Sequence, residues 1–262
     1  MSDPRADADL PSAAYVICAT PRSGSTLLCG MLAATKTAGQ PDSFYRQASI
    51  TAWARGWSLN EAPVLTSSAF NRAYLAAALS EGCGDTGCFG MRLMYEDLHA
   101  MSAQLGTVYP QAETDLDRFE QAFGPVRFVH LSRRDRLAQA VSRVRAEQSG
   151  LWHRAADGSE LERMSDPTPL RYDREAIQRH LDRLTEWESA WRDWFAAQDI
   201  TPLSVCYEDL ASDLHRTVGD VLAHIGQDPR CAQNLAPHVQ PLSDQTNRHW
   251  VSRYRSDLAS GP

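Results

Sequence analysis

The apolar positions of this chain fall in short unbroken runs rather than in alternation. Ala14-Tyr-Val-Ile-Cys-Ala19 contains no charged residue and reads as a strand buried on both faces. Cys88-Phe-Gly-Met-Arg-Leu93, Val126-Arg-Phe-Val-His-Leu131 and Leu203-Ser-Val-Cys-Tyr207 predict a second, third and fourth strand by their β-branched and aromatic content. Between them the spacing turns helical: Thr26 to about Lys36, residues 66–80, Tyr95 to about Leu105, Asp135 to about Gln148, Asp173 to Gln198, Leu214 to Ile225, and a last helix from about Arg248. Trp187, Trp191 and Trp194 stand at i, i+4 and i+7, the spacing of a core-facing stripe. Gly39 and Pro41 break the chain before an aromatic-rich segment through Trp53 and Trp57. Residues 149–171, with Gly150, Gly158, Pro167 and Pro169, read as a long surface excursion of the kind that often carries function.

Strands alternating with helices predict an α/β, three-layer fold with a central parallel sheet flanked by helices. It is P-loop-like in that its first strand feeds a Ser/Gly turn and then a helix. Ligands bind such sheets at the carboxyl ends of the strands. A flexible tail is expected over 1–13 and one domain over 14–262.

With 262 residues and a net charge of −7, the chain is no general binder of nucleic acid or anionic membrane, since neither surface attracts it. No run reaches the ~18 apolar residues a membrane span requires. The acidic, polar start is unlike a secretory signal, which makes a cytoplasmic protein with six reduced cysteines the expectation. No C-x-x-C or H-E-x-x-H occurs, so no metal site is expected. The basic residues are twenty-five arginines and one lysine, Lys36. Any cation a site needs is therefore almost always a guanidinium.

That matters for Thr20-Pro-Arg-Ser-Gly-Ser-Thr26, which joins the first strand to its helix. Small residues let backbone N–H groups wrap an anion, and the helix N-terminus adds partial positive charge. Arg22, Ser23, Gly24, Ser25 and Thr26 are the candidate anion ligands; the alternative is an ordinary Ser/Gly-rich turn. A Walker A loop needs a lysine just before its Ser/Thr, and Lys36 lies too far along the chain to serve. His130-Leu-Ser-Arg-Arg-Asp135 with Gln139-Ala-Val-Ser142 offers a second anion site, where a guanidinium at a strand's end pairs bidentately with phosphate. Arg92 sits inside an apolar strand, where it is costly unless paired.

Pro21-Arg-Ser-Gly-Ser-Thr-Leu-Leu28 resembles the 5′-phosphosulfate loop of sulfotransferases that use 3′-phosphoadenosine 5′-phosphosulfate (PAPS). The wider pattern, from about Ala14 to Leu258, is similar to the bacterial carbohydrate sulfotransferases typified by mycobacterial trehalose 2-sulfotransferase. The resemblance implies Arg133 and Ser142 on the donor's 3′-phosphate, Arg22 and Arg92 as catalytic cations, and Arg248 near a phosphate from the closing stretch Ser243 to Trp250. It also assigns Tyr207-Glu208 to a family position, though Glu208 reads equally as a helix cap. The implied acceptor is a sugar or glycolipid hydroxyl, with a homodimer left open.

The acceptor side departs from the family. Where relatives carry Gly-Glu-Pro-x-Glu-Phe-Phe, with the second glutamate as general base, this chain reads Gly39-Gln-Pro-Asp-Ser-Phe-Tyr45. Ser43 occupies the base position and cannot accept a proton at neutral pH. Asp42, one residue earlier, is the nominated base; the alternative is catalysis by charge neutralisation and positioning alone. Phe44, Tyr45, Trp53, Trp57 and Trp152 are candidate sugar-stacking rings or simply packing residues. His130 reads as a core residue, and His153 and His180 fall in exposed-looking stretches. A P-loop small-molecule kinase and a degenerate nucleotide-binding module stand as the alternatives to a sulfotransferase.

Overall fold

Strand β1 (Ala13–Ala19) is buried from Ala14 onward, as its unbroken apolar run requires. Its neighbours are β2 (Cys88–Met94) and β3 (Val126–Ser132), and a fourth strand, Leu203–Cys206, flanks β3. All pairings are parallel, and β1 is central between β2 and β3. The computed structural model describes residues 10–59, 64–240 and 244–259.

Alternate residues of β1 feed two separate cores. Ala14, Val16 and Cys18 join a cluster with Phe89, Leu98, Phe119 and Trp191, while Tyr15, Ile17 and Ala19 join one with Leu28, Leu32, Val218 and Leu222. The period of two along a strand thus builds the three layers. On one face lie α1 (Ser25–Ala34) and, later in the chain, the Leu214–His224 helix. The other face carries α2 (Ile50–Gly56), α3 (Ser68–Cys83), α4 (Tyr95–Val108) and α5 (Asp115–Phe123). Helices α6 (Arg136–Ser149) and α7 (Arg174–Ala197) pack with the C-terminal helix around a third cluster containing Val141, Ile177 and Tyr254. The tryptophan stripe divides as its spacing demands. Trp191 and Trp194 are buried in the main core, and Trp187 packs at the α6–α7 contact. Trp191 also donates its indole N–H to the Ala19 carbonyl at 2.9 Å, fixing α7 to the end of β1.

The 149–171 excursion is not irregular throughout. Strands β4 (Leu151–Ala155) and β5 (Glu160–Arg163) form an antiparallel hairpin, extended by β7 (Val239–Gln240) after β6, the Leu203–Cys206 strand. Its register shifts at His153, β4 is largely half-buried and β5 mostly exposed, so no alternation of apolar and polar residues marked it. The short α2, α5 and α8 (Tyr207–Ser212) also lie outside the predicted helices. The fourth strand stops at Cys206 because Tyr207 begins α8. The helix from Leu214 to His224 is α9, and α10 spans Gln245–Ala259, starting three residues before the predicted point because Asp244 caps the Asn247 N–H. Most of the expected tail lies outside the described residues. Its visible end is tied down, with Ser12 bonded to the Gly87 carbonyl and β1 already under way at Ala13.

Candidate active site

Four parallel strands end at one rim, and the cavity there measures about 340 Å³. The loop after β1 forms its floor. Gly24 has φ +89°, and a Cβ at that position would lie 2.4 Å from the Tyr207 ring, so only glycine lets the loop pass under it. Arg22 is also left-handed, with φ +66°. Left-handed residues alternating with ordinary ones turn successive N–H groups to one side, the geometry of an anion nest at the start of α1. Gln139 of α6 holds this loop through Thr20 Oγ1 (3.0 Å) and the Pro21 carbonyl (2.7 Å). Ser23 is fully buried and its Oγ has no partner among the described residues.

Three guanidiniums converge on the loop. Arg22 donates from Nε to Ser142 Oγ at 3.1 Å and from Nη1 to the Trp152 carbonyl at 2.5 Å. Arg133 donates to the Arg22 carbonyl at 3.2 Å and lies 4.6 Å from the Tyr207 ring centroid, leaving its own Nε without a partner. Arg92, from the end of β2, donates to Thr26 Oγ1 at 2.9 Å and to Ser43 Oγ at 2.7 Å. Among the described residues neither Arg22 nor Arg133 pairs with a carboxylate. Burial, then the charge of Arg133, pulls Arg22 down to about 10. Cations crowded like this without counter-charge call for an anion.

Glu208 secures the turn that carries Arg133. Its carboxylate accepts from the backbone N–H groups of Arg134 and Asp135, both at 3.1 Å, and from the Cys206 thiol at 2.9 Å. Burial works against the charge, but these hydrogen bonds outweigh it and bring Glu208 down to about 2. The cap reading of this residue is thus met between elements, at the turn that leads into α6 and not on its own helix. Arg134 turns outward to Asp209 and takes no part in the cavity.

Of the residues nominated from sequence, Arg22, Gly24, Ser25, Thr26, Arg92, Arg133 and Ser142 line the cavity together, with Ser23 buried beneath. Two do not. Asp42 is exposed, lies outside the cavity wall, accepts the Ser43 N–H at 2.6 Å, and faces Arg92 Nη2 only at 3.7 Å. The reason is backbone pairing: Asp42 bridges to Met91 alongside β2, so neighbouring side chains alternate and Ser43, not Asp42, faces inward. Arg248 is exposed on α10 outside the cavity, because the helix buries its Trp250–Tyr254 face instead; Ser243 lies outside the described residues. Of the candidate stacking rings only Trp152 reaches the cavity. Phe44 and Tyr45 are core residues, and Trp53 and Trp57 pack beside them.

Sequence reasoning missed His153. The hairpin brings its Nε2 to 3.0 Å from Thr26 Oγ1 and 3.4 Å from Glu162 Oε2, inside the cavity wall. Burial, followed by the charges of Arg22 and Arg92, drives the imidazole down to about 3. Glu162 is in turn held by Arg46 at 3.3 Å. His130 is the core residue expected, facing Glu188 at 3.2 Å, and His180 pairs with Glu147 at 2.8 Å.

The chain is similar to known proteins along nearly its whole length. A trehalose 2-sulfotransferase of Mycobacterium tuberculosis is 32% identical, over 93% of this chain and 94% of its own length. One from Mycolicibacterium smegmatis is 30% identical, over 93% of this chain and 95% of its own. A solved sulfotransferase domain from the Synechococcus PCC 7002 olefin synthase covers 96% of this chain and 90% of its own at 18% identity and a TM-score of 0.44. The family model described as Stf0 sulphotransferase matches residues 14–257, which include every loop of the cavity rim. The chain belongs to the Stf0 sulphotransferase family and is an enzyme that transfers sulfuryl groups.

Proposed function

We propose that the donor is PAPS and the acceptor a hydroxyl of a trehalose-like sugar or glycolipid. The carrying observation is the cationic rim: among the described residues Arg22 and Arg133 are without carboxylate partners, and the polar atoms Ser23 Oγ and Arg133 Nε are unpaired beside an N–H nest. A donor with a 5′-phosphosulfate and a separate 3′-phosphate offers anions for both parts of that rim. The loop amides, Arg22 and Ser25 hold the 5′ end, where negative charge builds on the leaving phosphate as the S–O bond breaks. Arg133 and Ser142 hold the 3′-phosphate, and Tyr207 keeps the Arg133 fork in place from behind. Arg92, braced by Thr26 and Ser43, faces the sulfuryl group as it passes to the acceptor. The sugar acceptor follows from the relatives' named activity and from Trp152 at the cavity wall, an apolar ring for a sugar's C–H face.

Thermal shift tests the donor assignment. 3′-Phosphoadenosine 5′-phosphate without metal should raise Tm, by mass action on the folded state. Stabilisation by ATP with magnesium, and none by the bisphosphate, overturns it.

A further inference from the structure

The cavity has cations for the donor and no obvious proton acceptor for the acceptor hydroxyl. Ser43, at the position where relatives carry the base, is a hydroxyl too weakly basic to hold a proton at neutral pH, and it accepts from Arg92 Nε. Asp42 is outside the wall. Three carboxylates do line the cavity: Glu96, Glu147 and Glu162. Glu147 is occupied by Arg143 at 3.1 Å and His180 at 2.8 Å, Glu162 is held by Arg46 at 3.3 Å, and Glu96 faces Arg143 at 3.9 Å, so each carboxylate of the wall already faces a guanidinium. What remains over the loop is His153, with Glu162 beside it on the hairpin.

We propose that His153 of β4 accepts the proton of the sugar hydroxyl and that Glu162 of β5, which faces the same nitrogen, stabilises the imidazolium so formed. The assignment rests on the sulfuryl-transfer reading above. Thr26 Oγ1 takes a hydrogen bond from Arg92, and a guanidinium can only donate. The Thr26 hydrogen is therefore free for a second partner, and His153 Nε2 stands within range at 3.0 Å. That hydrogen marks the Nε2 lone pair as turned toward the loop, and a sugar hydroxyl delivered there takes the place of the Thr26 hydrogen at Nε2. In the transfer step the acceptor O–H bond breaks, and its proton goes to Nε2. The oxygen's electron pair forms the new O–S bond. The bond from sulfur to the bridging oxygen breaks, and its pair stays on the 5′-phosphate. The imidazolium so formed faces the Glu162 carboxylate at 3.4 Å.

The surroundings couple this base to the donor. Five groups face the ring: Arg22 from the loop, Arg92 from β2, His238 ahead of β7, Arg46, and Glu162 beside it on β5. Burial and the nearby positive charges keep the free enzyme's imidazole neutral, with a proton-binding lone pair at neutral pH. The anionic groups of a bound donor oppose Arg22 and Arg92. They raise the basicity of His153 only once the sulfuryl group is in place. An empty site thus carries a weak base, and a loaded one a stronger base.

Two measurements on the full chain test this. The first follows conversion of PAPS to 3′-phosphoadenosine 5′-phosphate with trehalose and other sugars present, water being the acceptor where no sugar is taken. His153→Gln should cut the rate about 10²–10⁴-fold while leaving the affinity for 3′-phosphoadenosine 5′-phosphate within about threefold. Glu162→Gln should cut it less and shift the acid limb of the pH–rate profile, which a purely structural role would leave in place. A His153→Gln rate within about threefold of the parent overturns the proposal and leaves the transferase reading intact. So does a loss of rate matched by an equal loss of nucleotide affinity, which marks a donor contact instead. The second is an NMR titration of His153 in the parent, which needs no turnover and no variant. The ring should titrate far below the ordinary histidine value and move up when 3′-phosphoadenosine 5′-phosphate is added. A ring that titrates near 6.5, or does not move, overturns the proposal even if the parent turns out to transfer nothing.

Discussion

Removing Arg133 should separate donor affinity from protein stability. Arg133→Ala deletes one hydrogen bond to the Arg22 carbonyl and the contact with the Tyr207 ring, together worth about 1–2 kcal/mol in a half-buried setting. Against this, it removes the cation that, after burial, most depresses Arg22. The two effects oppose each other, so Tm should shift by no more than a few degrees. Donor binding has no such compensation. Charged hydrogen bonds from a guanidinium to phosphate contribute roughly 1.5–3 kcal/mol, or about ten- to 150-fold in Kd. Calorimetry with 3′-phosphoadenosine 5′-phosphate and with adenosine 5′-phosphate reads the effect directly. The parent should prefer the bisphosphate by about that factor, and Arg133→Ala should bind the two nucleotides alike. A variant that still discriminates between them refutes the assignment of Arg133 to the 3′-phosphate. One that loses affinity only through unfolding, seen as a large fall in Tm, refutes the balance of forces argued here.

Gly24→Ala should abolish nucleotide binding and lower Tm, since the new methyl meets the Tyr207 ring at 2.4 Å from a φ of +89°; a calorimetric titration matching the parent would show that the loop can shift. Arg22→Lys should keep most of the nucleotide affinity and lose rate, because lysine retains charge but cannot bond Ser142 and Trp152 at once; equal kcat would remove the fork from the mechanism. Asp42→Asn should change turnover by less than about tenfold, since that carboxylate lies outside the cavity; a fall of about a hundredfold would restore it as the base. His153 also shapes acid stability. Its folded value, about 3, lies below the 6.5 of an unfolded histidine, so between these pH values the unfolded chain binds the extra proton. Stability should therefore fall as pH drops through that window, by up to about 1.4 kcal/mol per unit from this group. Denaturant titrations of His153→Gln should show a flatter slope there, and an unchanged slope would mean that the ring is not held neutral.

The sheet and the donor loop were legible because each rests on a local signal. Apolar runs such as 14–19, bounded by turn residues, read as strands buried on both faces, and a Ser/Gly turn between strand and helix marks the loop at the rim by its local sequence alone. Arg133 was legible for the same reason, standing at a strand's end. The hairpin was not, because its strands are short, half-buried or exposed, and bulged at His153, and its partner β7 lies over seventy residues away. Asp42 adjoins Ser43 in the chain, but pairing with Met91 sends their side chains to opposite sides, a long-range contact that no local signal carries. Arg248 misled because which face α10 buries is decided by α6 and α7, not by its own sequence. The capping box at Thr114 and Asp117, with Leu116, Phe119 and Phe123 at helical spacing behind it, was a readable signal for α5.

The central claim is sulfuryl transfer from PAPS to a sugar hydroxyl. Incubating the protein with PAPS labelled in its sulfuryl group, with trehalose and a panel of glycolipids and sugars, tests it most directly by mass spectrometry. The account predicts a sugar product heavier by one labelled SO₃, formed without added metal and in step with release of 3′-phosphoadenosine 5′-phosphate. A sugar that gains phosphate from ATP and magnesium, with no label transferred from PAPS to any acceptor, would contradict it.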